Sequence, residues 1–419
     1  MKFIDLFSGI GGFRSGLEKN GHKAIAYSEV DKYAKQSYTS IYETSEELDL
    51  GDITKVSNEQ WQDLKGKANI IVGGSPCQSF SLAGKRRGFE DTRGTLFFHY
   101  VNAVKEVQPE FFIFENVKGM ISHDKGETIK TVLSSFNEIG YDIDFDVFNS
   151  KYYGVPQNRE RIYIVGKRKD LGINESRESV KGKKKLDQLK NWAIENINYV
   201  KLLPENNNEN VEKRLADVLE DEVDEKYYLS EEKTKKLTLN LDLEGLSPAL
   251  NCMRGGGLEP KIAVREATKQ GYAIAEQGDS VNVTYPDSKT RRGRVGKQVA
   301  QTLQAGEVNQ GVIINPLKDK TYKSWRYEQN VFDSNGITRS LKASLGGTPE
   351  IINKKYNQLR IRKLTPLECW RLQGFKDEQF YKAKDNGVSN SQLYKQAGNA
   401  VTVNVVDAIT KELIKHGLQ

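Results

Sequence analysis

From Met1 to about Gly166 the chain alternates short β-rich runs with amphipathic stretches, and this rhythm constrains the fold more than any other feature. The runs are KFIDLF, AIAYSE, ANIIVGG, EFFIFENV and RIYIVG, and a stretch such as GTLFFHYVNAVKEV separates two of them. Runs that are apolar at nearly every position are buried on both faces, which requires helices on either side. The pattern therefore predicts an α/β fold with a doubly wound sheet. In such sheets ligands sit at the carboxyl ends of the strands, and most of the motifs below begin where one of these runs stops.

The rest of the chain reads differently. From about Lys167 to Glu244 the composition shifts to Lys, Glu and Asn, and KGKKKLDQLKNW and NNNENVEKRLADVLEDEVDEK read as solvated helices or linker. A weak repeat follows in LSPALNCMRGGGLEPKIAV, VAQTLQAGEVNQGVII and ITRSLKASLGGTPEII. Its copies are unequally spaced (Leu250, Leu303, Leu341), so they suggest three similar hairpins in one small β-rich domain and not a solenoid. The tail, with RKLTPLECWRLQGF and QAGNAVTVNVVDAITKEL, again opens helices from turns and looks like the first domain. The expected division is 1–166, then 167–358 as charged linker plus small domain, then 359–419 returning to the first.

Bulk properties exclude more than they indicate. The 419 residues suffice for two or three domains. No run approaches the roughly 18 to 20 apolar residues of a membrane helix. The first strand runs straight into a glycine loop without the basic and apolar regions of a signal peptide, so a cytoplasmic protein is expected. Cys77, Cys252 and Cys369 are too few for a disulfide framework, and the four histidines lack metal-ligand spacing, so no metal is expected. The net charge of +6 is weak evidence for nucleic acid.

Gly9-Ile10-Gly11-Gly12 follows a strand as a nucleotide-binding loop does, and Glu29 ends the next strand about 20 residues on, where it can accept from ribose hydroxyls. Arg14 stands where the third glycine of G-x-G-x-x-G belongs, and no Gly-Lys-Ser/Thr ending follows, so adenosine without phosphates fits better than a nucleotide. Asp52, in Gly51-Asp52-Ile53-Thr54, can accept from an adenine amino group or cap a turn.

In Gly73-Gly74-Ser75-Pro76-Cys77-Gln78-Ser79-Phe80-Ser81 an apolar strand stops at glycines and a proline and presents a cysteine. A free cysteine is ordinarily a small buried hydrophobe, but at a strand end it is placed as a nucleophile. It then needs positive charge or backbone amides to become thiolate, and Lys85, Arg86 and Arg87 can supply that field, clamp a phosphate, or simply be a solvated loop. Glu115 closes the apolar strand FFIFENV, where desolvation raises a carboxyl pKa toward that of a proton donor. Arg159 and Arg161 enter the strand RIYIVG and can present guanidinium groups to a carbonyl or phosphate, or lie on the surface.

Taken in order, DLFSGIGGF, SEVD, GDIT, GGSPCQSFS, ENVKGM, Gln157-x-Arg159-x-Arg161, RKLTPLECWRLQGF and QAGNAV resemble the motifs of the cytosine-5 DNA methyltransferase family. The resemblance covers roughly residues 1–166 and 360–419. It implies a Rossmann-like domain dependent on S-adenosylmethionine, with an inserted β-rich target-recognition domain, and S-adenosylhomocysteine as product. Phe7, Gly9, Gly11, Gly12, Glu29, Asp52, Ile53, Pro76, Leu96, Asn399 and Val401 would surround the cofactor.

The resemblance also implies that Cys77 attacks C6 of a flipped-out cytosine, Glu115 engages N3, and Arg161, with Arg159 beside it, fixes the base. Double-stranded DNA is the implied partner of a monomer, met by Gln78, Ser81, Lys85, Arg86 and Arg87, by the basic stretch containing Arg291, Arg292 and Arg294, and by Thr302 of a Thr-Leu doublet. Ser340-Leu341 and Ala249-Leu250 are alternatives for that doublet. A separate cognate restriction endonuclease, or an orphan or phage context, both remain open.

Three other readings compete. A tRNA cytosine methyltransferase would share the catalytic residues, but Ser75-Pro76-Cys77 and the long insert argue against it. The intact Cys77, Glu115 and Arg161 argue against an inactive DNA-binding relative, and Arg14 with the Pro-Cys turn argues against a dinucleotide oxidoreductase. Cys252 and Cys369 are assigned to packing.

Overall fold

The computed structural model describes residues 1–76, 96–172, 174–206, 211–238, 261–305, 309–314, 332–333, 351–352 and 360–418. It divides into two units, one of Met1–Lys213, Gln304–Glu307 and Pro366–Gln419, the other of Arg214–Leu303 and Val308–Thr365.

The first unit begins with β1 (Lys2–Leu6), α1 (Gly12–Glu18), β2 (Lys23–Ser28), α2 (Lys32–Ile41), β3 (Leu48–Asp49), α3 (Asn58–Gln62), β4 (Ile70–Gly73), α4 (Leu96–Val107) and β5 (Phe111–Val117). It continues with α5 (Glu127–Glu138), β6 (Tyr141–Asn149), β7 (Gln157–Asn158), β8 (Glu160–Arg168) and α6 (Lys185–Asn196). One seven-stranded sheet has the order β3-β2-β1-β4-β5-β8-β6. β8 runs antiparallel to both β5 and β6, and the other pairings are parallel. Strand order reverses between β1 and β4, so the crevice expected to hold a ligand lies at the carboxyl ends of those two strands.

The second unit contains α7 (Glu231–Leu237) and the antiparallel pair β9 (Lys261–Arg265) and β10 (Tyr272–Glu276). Next come β11 (Ser280–Asn282), β12 (Val295–Gly296), β13 (Ala300–Gln301), β14 (Gln310–Ile314), β15 (Phe332–Asp333), β16 (Ile351–Ile352) and β17 (Arg360–Lys363). A four-stranded sheet runs β12-β11-β14-β17. Val264, Ala275, Val281, Ile313 and Ile361 form its small core.

The chain then re-enters the first unit through α8 (Pro366–Arg371), α9 (Asp377–Asp385), α10 (Asn390–Asn399) and α11 (Val403–Lys415). Strand alternation separates that unit's two cores. Ile4, Leu6, Ile71, Phe112 and Phe114 face α4, α5 and α6, whereas Phe3, Ile70, Val72, Phe111 and Ile113 face α1 and α11. The Phe112 and Phe136 rings stack with centroids 4.2 Å apart. Gly166 is required opposite them, because a Cβ there would lie 2.0 Å from Phe112.

The unit boundaries differ from the sequence expectation at both ends of the insert. Residues 167–213 join the first unit: Leu189, Ala193, Ile197, Tyr199, Leu202 and Leu203 are buried, and Arg177 pairs with the fully buried Asp144 at 2.7 Å. The lysines around α6 mask its apolar stripe in composition. Conversely, β17 pairs with β14 in the second unit, so the return begins at Pro366. Of the repeat, only the middle copy is largely described. Among the described residues no helix is long and apolar enough to cross a membrane, and no three His, Cys, Asp or Glu side chains converge as a metal site.

Candidate active site

The loop after β1 is shaped by left-handed backbone at Phe7 (φ 53°), Gly9 (φ 55°) and Gly11 (φ 81°). A phenylalanine adopts this conformation only when its surroundings enforce it, at a cost of about 1 to 3 kcal/mol. Glu29, just beyond β2, secures the loop: its Oε2 accepts from Gly9 N at 2.8 Å and its Oε1 from Asp31 N at 2.7 Å. Gly12 is required for packing, since a Cβ there would lie 2.3 Å from the Val401 carbonyl. At Gly51 a Cβ would meet nothing, and at Gly9 only the Phe7 carbonyl at 4.0 Å, so space is open beside both.

Asp52 caps the short turn Ile53–Lys55. Its Oδ1 accepts from Thr54 N at 3.0 Å and Thr54 Oγ1 at 2.8 Å, bonds that hold its carboxyl below the usual range. Its Oδ2 has Lys55 Nζ only at 3.8 Å. Phe7 and Leu96, partly buried, pack with buried Ile53 in one apolar cluster. Pro76 and Asn399 are exposed, and Val401 packs on the opposite core.

At the end of β5, Glu115 is buried and its Oε1 lies 3.1 Å from Arg161 Nε. Burial raises its pKa, and Arg161, then Arg159, oppose that rise. Gly74 passes directly over this carboxylate: a Cβ there would lie 2.8 Å from Glu115 Oε2. Asn116 Nδ2 donates to Ser75 O at 2.9 Å. Ahead of Pro76-Cys77, Ser75 is thereby tied to Asn116 and Gly74 lies close against Glu115. Cys77, Gln78, Ser81, Lys85, Arg86 and Arg87 lie outside the described residues, as does Cys252.

Arg159 and Arg161 have different fates. Arg159 is 2% exposed and donates from Nη1 to Gly398 O (3.1 Å) and from Nη2 to Ala400 O (2.7 Å). Burial, reinforced by neighbouring Arg161, pushes its pKa down to about 9. The expectation that it faces a ligand beside Arg161 is corrected, because both ends of its fork clamp the turn around Asn399. A chain of buried polar groups that sequence reasoning missed supports the same turn. Gln373 donates from Nε2 to Gln157 Oε1 (3.0 Å), Thr402 Oγ1 donates to Gln373 Oε1 (3.1 Å), and Ser150 Oγ lies 2.9 Å from Thr402 Oγ1. Gln157, the first residue of the Gln-x-Arg-x-Arg triplet, was the one available signal.

In the second unit Arg294 is fully buried and donates to the carbonyls of Asn282 (3.1 Å), Thr284 (3.0 Å) and Tyr285 (2.7 Å). It braces an irregular loop, which corrects its expected role as a DNA contact. Arg292 is exposed, with Nε on the Ala267 carbonyl at 2.9 Å, and Arg291 and Thr302 are half-buried. Cys369 is 1% exposed and burial raises its thiol pKa, as befits a packing residue.

The family model for C-5 cytosine-specific DNA methylase matches residues 1–415. The chain is 40% identical over a 452-residue alignment to the orphan methyltransferase M.SPRI of Bacillus phage SPR, covering 99% of this chain and 97% of that protein. It is 33% identical to the type II methyltransferase M.HpaII of Haemophilus parainfluenzae, covering 99% and 89% respectively. A solved Spodoptera frugiperda DNMT2 shares the fold, with a TM-score of 0.55 at 18% identity over 99% of each chain. With the methyltransferase-type sheet and a match spanning nearly its whole length, the chain belongs to the C-5 cytosine-specific DNA methylase family and is a DNA cytosine-5 methyltransferase.

Proposed function

We propose that the enzyme methylates a flipped-out cytosine through Cys77, with S-adenosylmethionine as donor. The carrying observation is the buried Glu115 carboxyl, paired with Arg161 and crossed by Gly74 three residues before Cys77. The Cys77 thiolate forms a bond to C6, which shifts electron density to C5. Glu115, whose proton affinity burial raises against the opposing pull of Arg161 and Arg159, hydrogen-bonds N3 and limits the charge that builds on the ring, while Arg161 stabilises the developing charge at O2. C5 then takes the methyl group, its proton is lost to a base, and breaking the Cys77–C6 bond restores the C5–C6 double bond and the thiolate. The base must leave the stack for this, at a cost of a few kcal/mol.

The crevice at β1 and β4 fits the donor. Open space at Gly9 and Gly51, the apolar side chains of Phe7, Ile53 and Leu96, and strand-end carboxylates suit an adenosine without phosphates. S-adenosylmethionine supplies there a methyl group activated by a sulfonium. Glu29 retains lone pairs for the ribose hydroxyls, and Asp52 Oδ2 is available to the adenine amino group. Gly11, Gly12, Pro76, Asn399 and Val401 complete this proposed surround. DNA contacts are assigned to Gln78, Ser81, Lys85, Arg86 and Arg87, and in the second unit to Arg291, Arg292 and Thr302.

An orphan role without a cognate restriction endonuclease is favoured by the 40% identity to M.SPRI against 33% to M.HpaII. Bisulfite sequencing of a plasmid propagated with the enzyme in a host lacking cytosine methylation tests the activity. Protected cytosines in one short context, absent with Cys77→Ala, are expected, and protection that persists with Cys77→Ala would refute the nucleophile.

A further inference from the structure

Beneath the glycine loop lies a hydrogen-bonded chain that the reaction does not use directly. Gln379, in the first turn of α9, has its Oε1 fixed by Lys376 N at 3.0 Å, which leaves Nε2 as the end that donates. Nε2 donates to Ser15 Oγ at 2.9 Å and lies 3.3 Å from Tyr42 Oη. Ser15 Oγ and Tyr42 Oη are 2.5 Å apart, and Tyr42 Oη donates to Gly11 O at 2.9 Å. The direction that satisfies these contacts runs from Gln379 to Ser15 to Tyr42 to Gly11, with the Ile10 carbonyl a longer second acceptor at 3.4 Å, and in such an arrangement successive bonds strengthen one another.

The Tyr42 ring also fills the space beside the loop. A Cβ at Gly11 would lie 2.4 Å from it, and Gly11 stands at φ 81°. The Arg14 guanidinium lies 4.3 Å from the ring centroid, held by Glu18 Oε1 at 2.7 Å and Glu47 Oε2 at 2.8 Å. Arg14 thus replaces the third glycine of a dinucleotide loop with a clamp on the tyrosine that sets the loop's shape.

We infer that Tyr42, with Ser15 and Gln379, is a positioning relay through which the returning C-terminal segment fixes the glycine loop in its donor-binding conformation. None of the three touches the reacting atoms. The inference rests on reading this crevice as the methyl-donor site.

Titration calorimetry with S-adenosylhomocysteine, alongside steady-state kinetics on target duplex, tests it. Tyr42→Phe should raise the Kd for S-adenosylhomocysteine and the KM for the donor by about five- to tenfold. Its kcat at saturating donor and its affinity for DNA should stay within about twofold of the parent. Gln379→Met, at the half-buried edge of the relay, should give a smaller rise in the same two constants and serves if Tyr42→Phe does not fold. Combined with Tyr42→Phe it should add nothing, because both break one chain. Unchanged donor constants in both single variants, or a lower melting temperature with unchanged Kd, would overturn the relay while leaving the donor site standing. An unaltered enzyme that fails to bind S-adenosylhomocysteine would overturn the donor-site reading itself and the relay with it.

Discussion

At the end of β5 an arginine meets a carboxylate: Arg161 lies 3.1 Å from Glu115, partly open, with a desolvated acid beside it. In the basic stretch of the second unit, Arg294 turns inward to three backbone carbonyls and is fully buried. The sequence marks both as arginines next to a strand, yet only the first stays partly exposed, with Nη1 on the Glu160 carbonyl at 2.9 Å and Nε facing Glu115. The difference lies in what the backbone needs. In a seven-stranded sheet most strand carbonyls are paired along the ladder, so Arg161 takes up only the one at Glu160, whereas an irregular loop between two short strands leaves several, and these take whatever donor is near. Arg159 shows the same demand inside the first unit, where it serves the turn at Gly398 and Ala400.

Substitutions should separate arginines and acids that meet ligands from those that hold backbone. The largest effect is expected from Glu115→Gln, which should lower kcat by about 10² to 10⁴-fold with little change in DNA affinity. The stability effect has the opposite sign. Because burial raises the folded-state pKa of Glu115, its contribution is present at low pH and is lost as pH rises through the raised value. Glu115→Gln should therefore gain melting temperature relative to the parent as pH rises above the ordinary carboxylate range, and a relative loss there would contradict the raised pKa.

Next, Arg159→Met should destabilise the first unit by about 2 to 4 kcal/mol in denaturant unfolding, since two buried carbonyls lose their donors. Arg161→Ala should lower activity, with a smaller stability loss than Arg159→Met because Glu115, left without its partner, can take up a proton. Equal stability losses in the two variants would erase the distinction drawn between them. In the second unit, Arg294→Ala should cost about 2 to 3 kcal/mol and leave the salt dependence of DNA binding unchanged. Replacing Arg291 and Arg292 with Ala should leave stability intact and reduce the slope of log K against log salt by up to about 1 for each phosphate no longer neutralised. The smallest effect is expected from Cys369→Ala, about 1 kcal/mol of stability with activity kept, and loss of activity in a folded variant would make Cys369 more than a packing residue.

How much of this is legible in the sequence follows the same physics. The strands of the first unit announce themselves because runs such as ANIIVGG and EFFIFENV are buried on both faces, and Glu115 stands out because an acid ending such a strand is conspicuous. Residues 167–213 read as linker because Leu189, Ala193 and Ile197 keep helical spacing inside a lysine-rich segment, so composition outweighs period. The relay through Ser15, Tyr42 and Gln379 is invisible, since its members lie far apart along the chain and none is unusual for its element. Arg294 reads as a DNA contact because no sequence pattern tells which loop carbonyls lack partners.

The central claim, that Cys77 bonds to C6 of the target base, is tested most directly with a duplex carrying 5-fluorocytosine at the methylated position. Fluorine cannot leave as a cation, so after methyl transfer the Cys77–C6 bond cannot be broken by elimination, and the complex is trapped. The account predicts a covalent protein–DNA adduct that needs S-adenosylmethionine, maps by mass spectrometry to the tryptic peptide Ala68–Lys85, and is absent with Cys77→Ala. An adduct that forms equally with Cys77→Ala, or methylation of ordinary duplex with no adduct on the fluorinated one, would contradict it.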